Sequence, residues 1–174
     1  MQILKTHHHP EIKSLENKTI FTRLTTRAIT IQGNSILLLY TKRYEDYSLP
    51  GGGLDLGEDK IEGMIRELRE ETGALNIRNI QPFGAYEEYR PWRKPDYDIQ
   101  HMTSYCYTCD INQELGESSM ESHEINNGMS AVWVIIHDAI KHNENTMATS
   151  EKKGMSIERE TFLLKRIATH LIKK

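Results

Sequence analysis

The sequence predicts a single α/β (α+β) domain, and three observations carry that prediction. Short Thr-, Ile- and Leu-rich runs bounded by turn residues read as strands. An apolar stripe at helical spacing follows a run of three glycines, and a second stripe closes the chain. The length of 174 residues suits one domain with its own core. The order is hairpin, helix, more strands, closing helix, without the regular alternation of a doubly wound parallel sheet.

Taken in order, residues 1–18 are polar and expected to be peripheral, leaving 19–174 as the domain. Residues 20–31 read as a strand, Gln32-Gly33-Asn34 as a turn, and 35–41 as a second, well-buried strand. Together these suggest a hairpin. Gly51-Gly52-Gly53 is a flexible loop. A helix is expected over 58–72, because Ile61, Met64, Ile65 and Leu68 fall at i, i+3, i+4 and i+7. Gly73 is placed to end it. Strands are expected at 75–88 and 99–111, around the loop YRPWRKPDYD. A polar loop covers 112–129, a short buried strand 131–136, and a short helix follows. The closing helix spans 156–173, with Phe162, Leu163, Ile167 and Leu171 on one face.

The net charge of −3 argues against general affinity for a nucleic-acid polymer, which needs a basic face. A nucleotide substrate stays open, since metal ions can neutralise phosphate. No apolar run approaches bilayer-spanning length, so no membrane partner is expected. The first residues lack the apolar core of a signal peptide, and the expected location is cytoplasmic. His7, His8 and His9 form a short run that reads as incidental. Cys106 and Cys109 form a C-x-x-C inside a predicted strand. Residues three apart on a strand face opposite ways, and no second cysteine pair exists to complete a zinc site. A structural reading is therefore preferred for both.

The segment GGLDLGEDKIEGMIRELREETGA carries the chemistry. Glu67, Glu70 and Glu71 lie at i, i+3 and i+4, which groups them on a helix away from the apolar stripe. Like charges so placed repel, and no lysine follows at i+4 to relieve them: positions 74 and 75 are Ala and Leu. Hard divalent cations favour such oxygen ligands, and magnesium binds through a few carboxylates plus substrate phosphate. Glu58, Glu62 and Arg66 run four apart, so Glu58 and Arg66 look architectural. The fragment R-E-L-R-E-E alone also fits a solvated acidic face on a structural helix.

The full spacing from Gly52 through Glu58, Arg66, Glu67, Glu70, Glu71 and Gly73 to Ala74 resembles the Nudix box, G-x5-E-x7-R-E-U-x-E-E-x-G-U, where U is a bulky apolar residue. Ala74 is smaller than usual for its position. Gly63 stands where alanine is frequent, at a helix-propensity cost of about 1 kcal/mol. The upstream strands, the LPGGG lead-in and the V-W-V strand also resemble the Nudix (MutT-like) family, over residues 20–140. The resemblance implies a mixed sheet sandwiched between helices. It implies hydrolysis of a nucleoside diphosphate linked to another group, with Mg2+ as the cofactor and Mn2+ as an alternative. The partner implied is a small nucleoside diphosphate derivative, with a homodimer left open.

Carried over by position, Glu70 and Glu71 are metal ligands, and Glu67 is a ligand or the base that orients water. Gly52, Glu58, Arg66 and Gly73 are the structural box residues. Family members often recruit a further acid before the last strand; Glu124 is the first candidate here and Glu121 the second. Arg23, Arg27 and Arg43 lie on or beside the early strands, and Arg27 is chosen to meet phosphate, because an arginine in a strand needs a partner. Among the aromatics near one loop, Tyr89 and Trp92 are chosen over Tyr86 and Tyr97 to stack on a nucleobase. Subfamily signatures do not settle the substrate. The alternative function is a non-catalytic nucleotide sensor on the same fold.

Overall fold

Residues 1–172 are described by the computed structural model. In chain order the elements are β1 (Ile3–His8), β2 (Ile20–Ile29), β3 (Ile31–Gln32), β4 (Ser35–Thr41), β5 (Asp46–Ser48) and α1 (Lys60–Thr72). Then come β6 (Arg78–Pro91), β7 (Ile99–Asp110), α2 (Ser122–Asn126), β8 (Met129–Ile135), α3 (Ile136–Thr149) and α4 (Ile157–Leu171). One four-stranded sheet has the order β1-β6-β7-β2. Its outer pairs are parallel and its central pair antiparallel. In the second sheet β8 pairs with β4 along its length, while β3 and β5 pair with different stretches of β4.

Strand alternation places the core on both faces of this layer. Ile36 and Leu38 of β4 join Ile29, Ile140, Leu163 and Ile167 beneath α3 and α4. Leu37 joins Ala28, Met64 and Leu68 beneath α1. The sheets are thus enclosed between α1 on one side and α3 with α4 on the other, the mixed α/β sandwich that the resemblance implies. Cys106 belongs to the first cluster and Cys109 to the second, on opposite faces, and both are buried free thiols. Burial pushes the Cys106 thiol up to about 12, which makes it inert as a nucleophile.

The hairpin expected from 20–41 is largely absent. The run breaks at buried Thr30, whose carbonyl accepts from the Leu37 N–H at 3.0 Å. Before the break the chain pairs with β7, and only Ile31 and Gln32 pair back onto β4. Periodicity marks a strand but not its partner, and the largely buried β4 is claimed by β8. Residues 3–8, inside the segment expected to be peripheral, form an edge strand parallel to β6. The polar loop holds α2, and the helix after β8 is longer than expected. The expected closing helix ends at Leu171, and position 173 lies outside the described residues. Among the described residues, no helix is long and apolar enough to cross a membrane.

Candidate active site

The three-glycine loop is held as an extra backbone strand against the free edge of β2. Ala28 N–H donates to the Pro50 carbonyl (2.8 Å), Thr26 N–H to Gly52 (3.0 Å), and Leu54 N–H to Leu24 (3.0 Å). Gly51 sits at φ 137°, and a Cβ there would lie 2.0 Å from the Thr26 carbonyl oxygen, so only glycine lets the loop lie this close. The chain then enters α1 through Asp59, whose carboxylate accepts from the N–H groups of Ile61 and Glu62 at 2.8 and 3.2 Å. Gly73 closes the helix in the left-handed conformation, φ 70°, as its position predicts. Gly63 is explained by packing: a Cβ would meet Leu54 at 2.3 Å and Glu58 at 3.0 Å.

Arg66 braces the loop to the helix. It donates to both oxygens of Glu58 (2.8 and 3.0 Å), to the Gly53 carbonyl (3.1 Å) and to Glu67 (2.8 Å). The bond from Arg66 holds the Glu58 carboxyl down at about 2. This is the architectural role expected of the pair. Gly52 has a different function from Gly51. A Cβ on it would fall 2.5 Å from the Glu67 carboxylate, so the missing side chain is what gives that acid its place.

Glu71 is almost fully buried, and its Oε2 accepts from the Gly51 N–H at 2.6 Å. Burial pushes its carboxyl well above the usual range. Arg27 and the Gly51 N–H oppose that shift, while the charges of Glu67 and Glu124 add to it. Burial likewise raises Glu67, against the pull of Arg66. Glu67, Glu71, Glu121 and Glu124 line a common cavity of about 620 Å³. Glu124 is buried, and its Oε2 also accepts from the Glu121 N–H at 2.7 Å at the start of α2.

Glu70 stands apart from this group. It faces a neighbouring cavity with Arg66 and Trp92, and Arg66 reaches it at 3.4 Å. Adjacent helical residues are rotated by about 100°, so Glu70 and Glu71 flank Glu67 on the same side of α1, one turned towards each cavity. Glu67 and Glu121 line both cavities and form the ridge between them.

Arg27 lines the acid cavity with these carboxylates and donates to the Gly51 carbonyl. Trp92 lines the neighbouring cavity, its ring 4.8 Å from that of Phe21. Tyr89 is a correction. Its ring is stacked between His8 (4.7 Å) and His101 (4.4 Å) on the sheet, and it lines neither cavity.

Five charged residues without a distinguishing sequence motif complete the acid cavity: Asp46, Arg90, Lys153, Arg159 and Glu160. Arg159 is buried and pairs with Glu88 and with Glu160 at 2.8 Å. Glu160 is fully buried and accepts from the Leu49 N–H at 2.9 Å, which ties α4 to the glycine loop. A signal existed: Glu160 falls between Ile157 and Leu164 at i+3 and i+7, on the buried stripe of α4.

The donor set is all oxygen, which suits a hard divalent cation. A nearly buried carboxylate whose charge is opposed by two acidic neighbours calls for a cation beside it. Each acid has its own protein partner, and among the described residues no three of them converge on one point. The residues therefore fit a hard divalent cation in the kind of donor they offer, and would have to turn from these partners to ligate it together.

Comparison with known proteins identifies the family and the fold. The NUDIX domain family model matches residues 22–155. An RNA pyrophosphohydrolase of Ruthia magnifica subsp. Calyptogena magnifica is 33% identical over 73 residues, 42% of this chain and 40% of that protein. A diphosphoinositol polyphosphate phosphohydrolase of Homo sapiens is 28% identical over 111 residues, 63% of this chain and 55% of that protein. The matched region is thus less than two thirds of either relative's length. A solved structure described as a NUDIX hydrolase from Nitrosomonas europaea shares the fold, with TM-score 0.57 and 16% identity over 85% of this chain and 90% of that one.

Proposed function

This chain belongs to the NUDIX family, and from that premise we propose that it is a divalent-metal-dependent hydrolase of a nucleoside diphosphate linked to another group. The observation that carries the reading is the buried Glu71 carboxylate, which lines one cavity with Glu67, Glu124 and Arg27. Carboxylates that would hold a cation, beside a guanidinium group that would meet phosphate oxygen, are what a diphosphate needs.

Glu67, Glu71 and Glu124 would hold the metal, with Glu70 reaching from the adjacent face of α1. A divalent cation held by these residues would supply charge neutralisation for the diphosphate and activation of water. Gly51 and Arg66 fix Glu71 and Glu67 in place through the bonds described above. Glu67 either ligates or takes the proton of the attacking water. The water oxygen bonds to one phosphorus, and the bridging P–O bond breaks. The bridging oxygen leaves with the electron pair on the departing phosphate. Trp92, beyond the Glu67–Glu121 ridge, offers a flat face for a nucleobase.

The test is a panel of nucleoside diphosphate derivatives, scored for phosphate products with magnesium. The Glu70→Gln/Glu71→Gln double variant is expected to abolish turnover while keeping its fold. Full activity in that variant overturns the mechanism. A nucleotide that raises the melting temperature without being cleaved makes the chain a sensor instead.

A further inference from the structure

Three arginines in the acid cavity differ from the other paired arginines of the protein. Ion pairs within 4.0 Å are made, among the described residues, by Arg66, Arg93 and Arg159. Arg23, Arg27 and Arg90 all line the cavity and reach no carboxylate at that distance. Arg27 donates to the Gly51 carbonyl, and its Nε is buried with no partner. Arg90 donates to the Gln100 side chain at 2.8 Å and faces the sulfur of Met102. Burial lowers both guanidinium groups; at Arg90 the charge of Glu88 opposes the shift, and those of Arg159, Arg23 and Arg27 add to it.

Half-buried cations without a carboxylate in ion-pair reach, as Arg27 and Arg90 are, are costly unless an anion completes them, and exposed Arg23 lies at the mouth of the same cavity. A scissile diphosphate held at a cation among Glu67, Glu71 and Glu124 would still leave Arg23 and Arg90 without an ion-pair partner. Space is present for more: Arg90 and Lys153 also line an adjoining cavity of about 270 Å³.

We propose that Arg23, Arg27 and Arg90 form a cradle for phosphate beyond the scissile diphosphate, so that the site favours compounds with three or more consecutive phosphates. This rests on the hydrolase reading above and names the substrate class within it. The discrimination is against nucleoside diphosphates that end in an uncharged group such as a sugar.

The experiment has two parts. First, inorganic tripolyphosphate is titrated calorimetrically into metal-free wild type, Arg90→Gln and Arg23→Gln. Each substitution is expected to weaken binding by about tenfold, the loss of one charge-assisted contact. Arg23 is exposed, so its variant keeps the fold even if Arg90→Gln does not. Second, with magnesium, the ratio of kcat/KM for a nucleoside triphosphate over a nucleoside diphosphate sugar is measured. Wild type is expected to favour the triphosphate, and Arg23→Gln to reduce the ratio by about tenfold. Unchanged tripolyphosphate affinity in Arg23→Gln, or an unchanged ratio, overturns the cradle. Tripolyphosphate binding as expected with neither nucleotide cleaved leaves the cradle standing and removes the hydrolase reading.

Discussion

The backbone N–H of Gly51 and the Oε2 of Glu71 meet at 2.6 Å, which ties the glycine loop to the last turn of α1. Burial raises Glu71 above the usual carboxylate range. Without metal, the folded protein therefore keeps this proton to higher pH than the unfolded chain. The associated stability is full below the unfolded pKa and is lost as pH rises through the raised folded value. A cation needs the ionised form. Magnesium is expected to raise the melting temperature more at pH 8 than at pH 5. Glu71→Gln should raise the metal-free melting temperature at pH 8 and shrink the magnesium effect. Equal magnesium shifts at both pH values in wild type would count against Glu71 as a ligand.

Gly51 and Gly52 are neighbours with separable roles. Gly51→Ala forces a Cβ to within 2.0 Å of the Thr26 carbonyl oxygen at φ 137°. It is expected to destabilise the fold by about 2 kcal/mol or more, read by chemical denaturation. Gly52→Ala meets only the Glu67 carboxylate, at 2.5 Å, which can swing aside. Its stability should stay near wild type while kcat falls. If Gly52→Ala unfolds the protein and keeps kcat per folded molecule, the assignment is reversed.

Asp46 is a second buried acid, raised to about 6 by burial and then by the charge of Glu160. Its sign is the same as for Glu71. The unfolded carboxyl ionises near 3.8, so the folded state binds more protons between there and about 6, and stability falls across that window. The upper bound on the loss is about 3 kcal/mol. Asp46→Asn is expected to raise the melting temperature at pH 8 and leave it nearly unchanged at pH 4. A rise of the same size at both values would rule out titration of Asp46 as the cause.

Tyr89 and Trp92 were equal candidates for a nucleobase platform, and they now diverge. Trp92→Ala is expected to raise KM for a nucleotide by about tenfold, the lower end of base-stacking energies. Tyr89→Ala breaks the His8–Tyr89–His101 stack and should cost about 1–3 kcal/mol of stability with KM unchanged. Steady-state kinetics beside thermal melts separate the two.

Much of this site was legible along the chain. The spacing from Gly52 to Gly73 located the loop, the helix, its left-handed cap and the Glu58–Arg66 brace. All of these depend on geometry repeated within one segment, so local period and residue type suffice to read them. The C-x-x-C was readable for the same reason, since strand alternation alone sends Cys106 and Cys109 to opposite faces.

Other features depend on which segments meet, and no local signal encodes that. The break at Thr30, the pairing of β2 with β7 and the edge strand at Ile3–His8 follow from competition between distant partners. The division of Glu70 from Glu71 between two cavities depends on what packs over α1. Arg90 from β6 and Arg159 and Glu160 from α4 reach the same cavity only through the folded sheet. Sequence by itself determined the acids and the backbone that presents them. Tertiary structure decided which acids share a cavity and which cations face them, because burial and charge pairing are properties of the assembled fold.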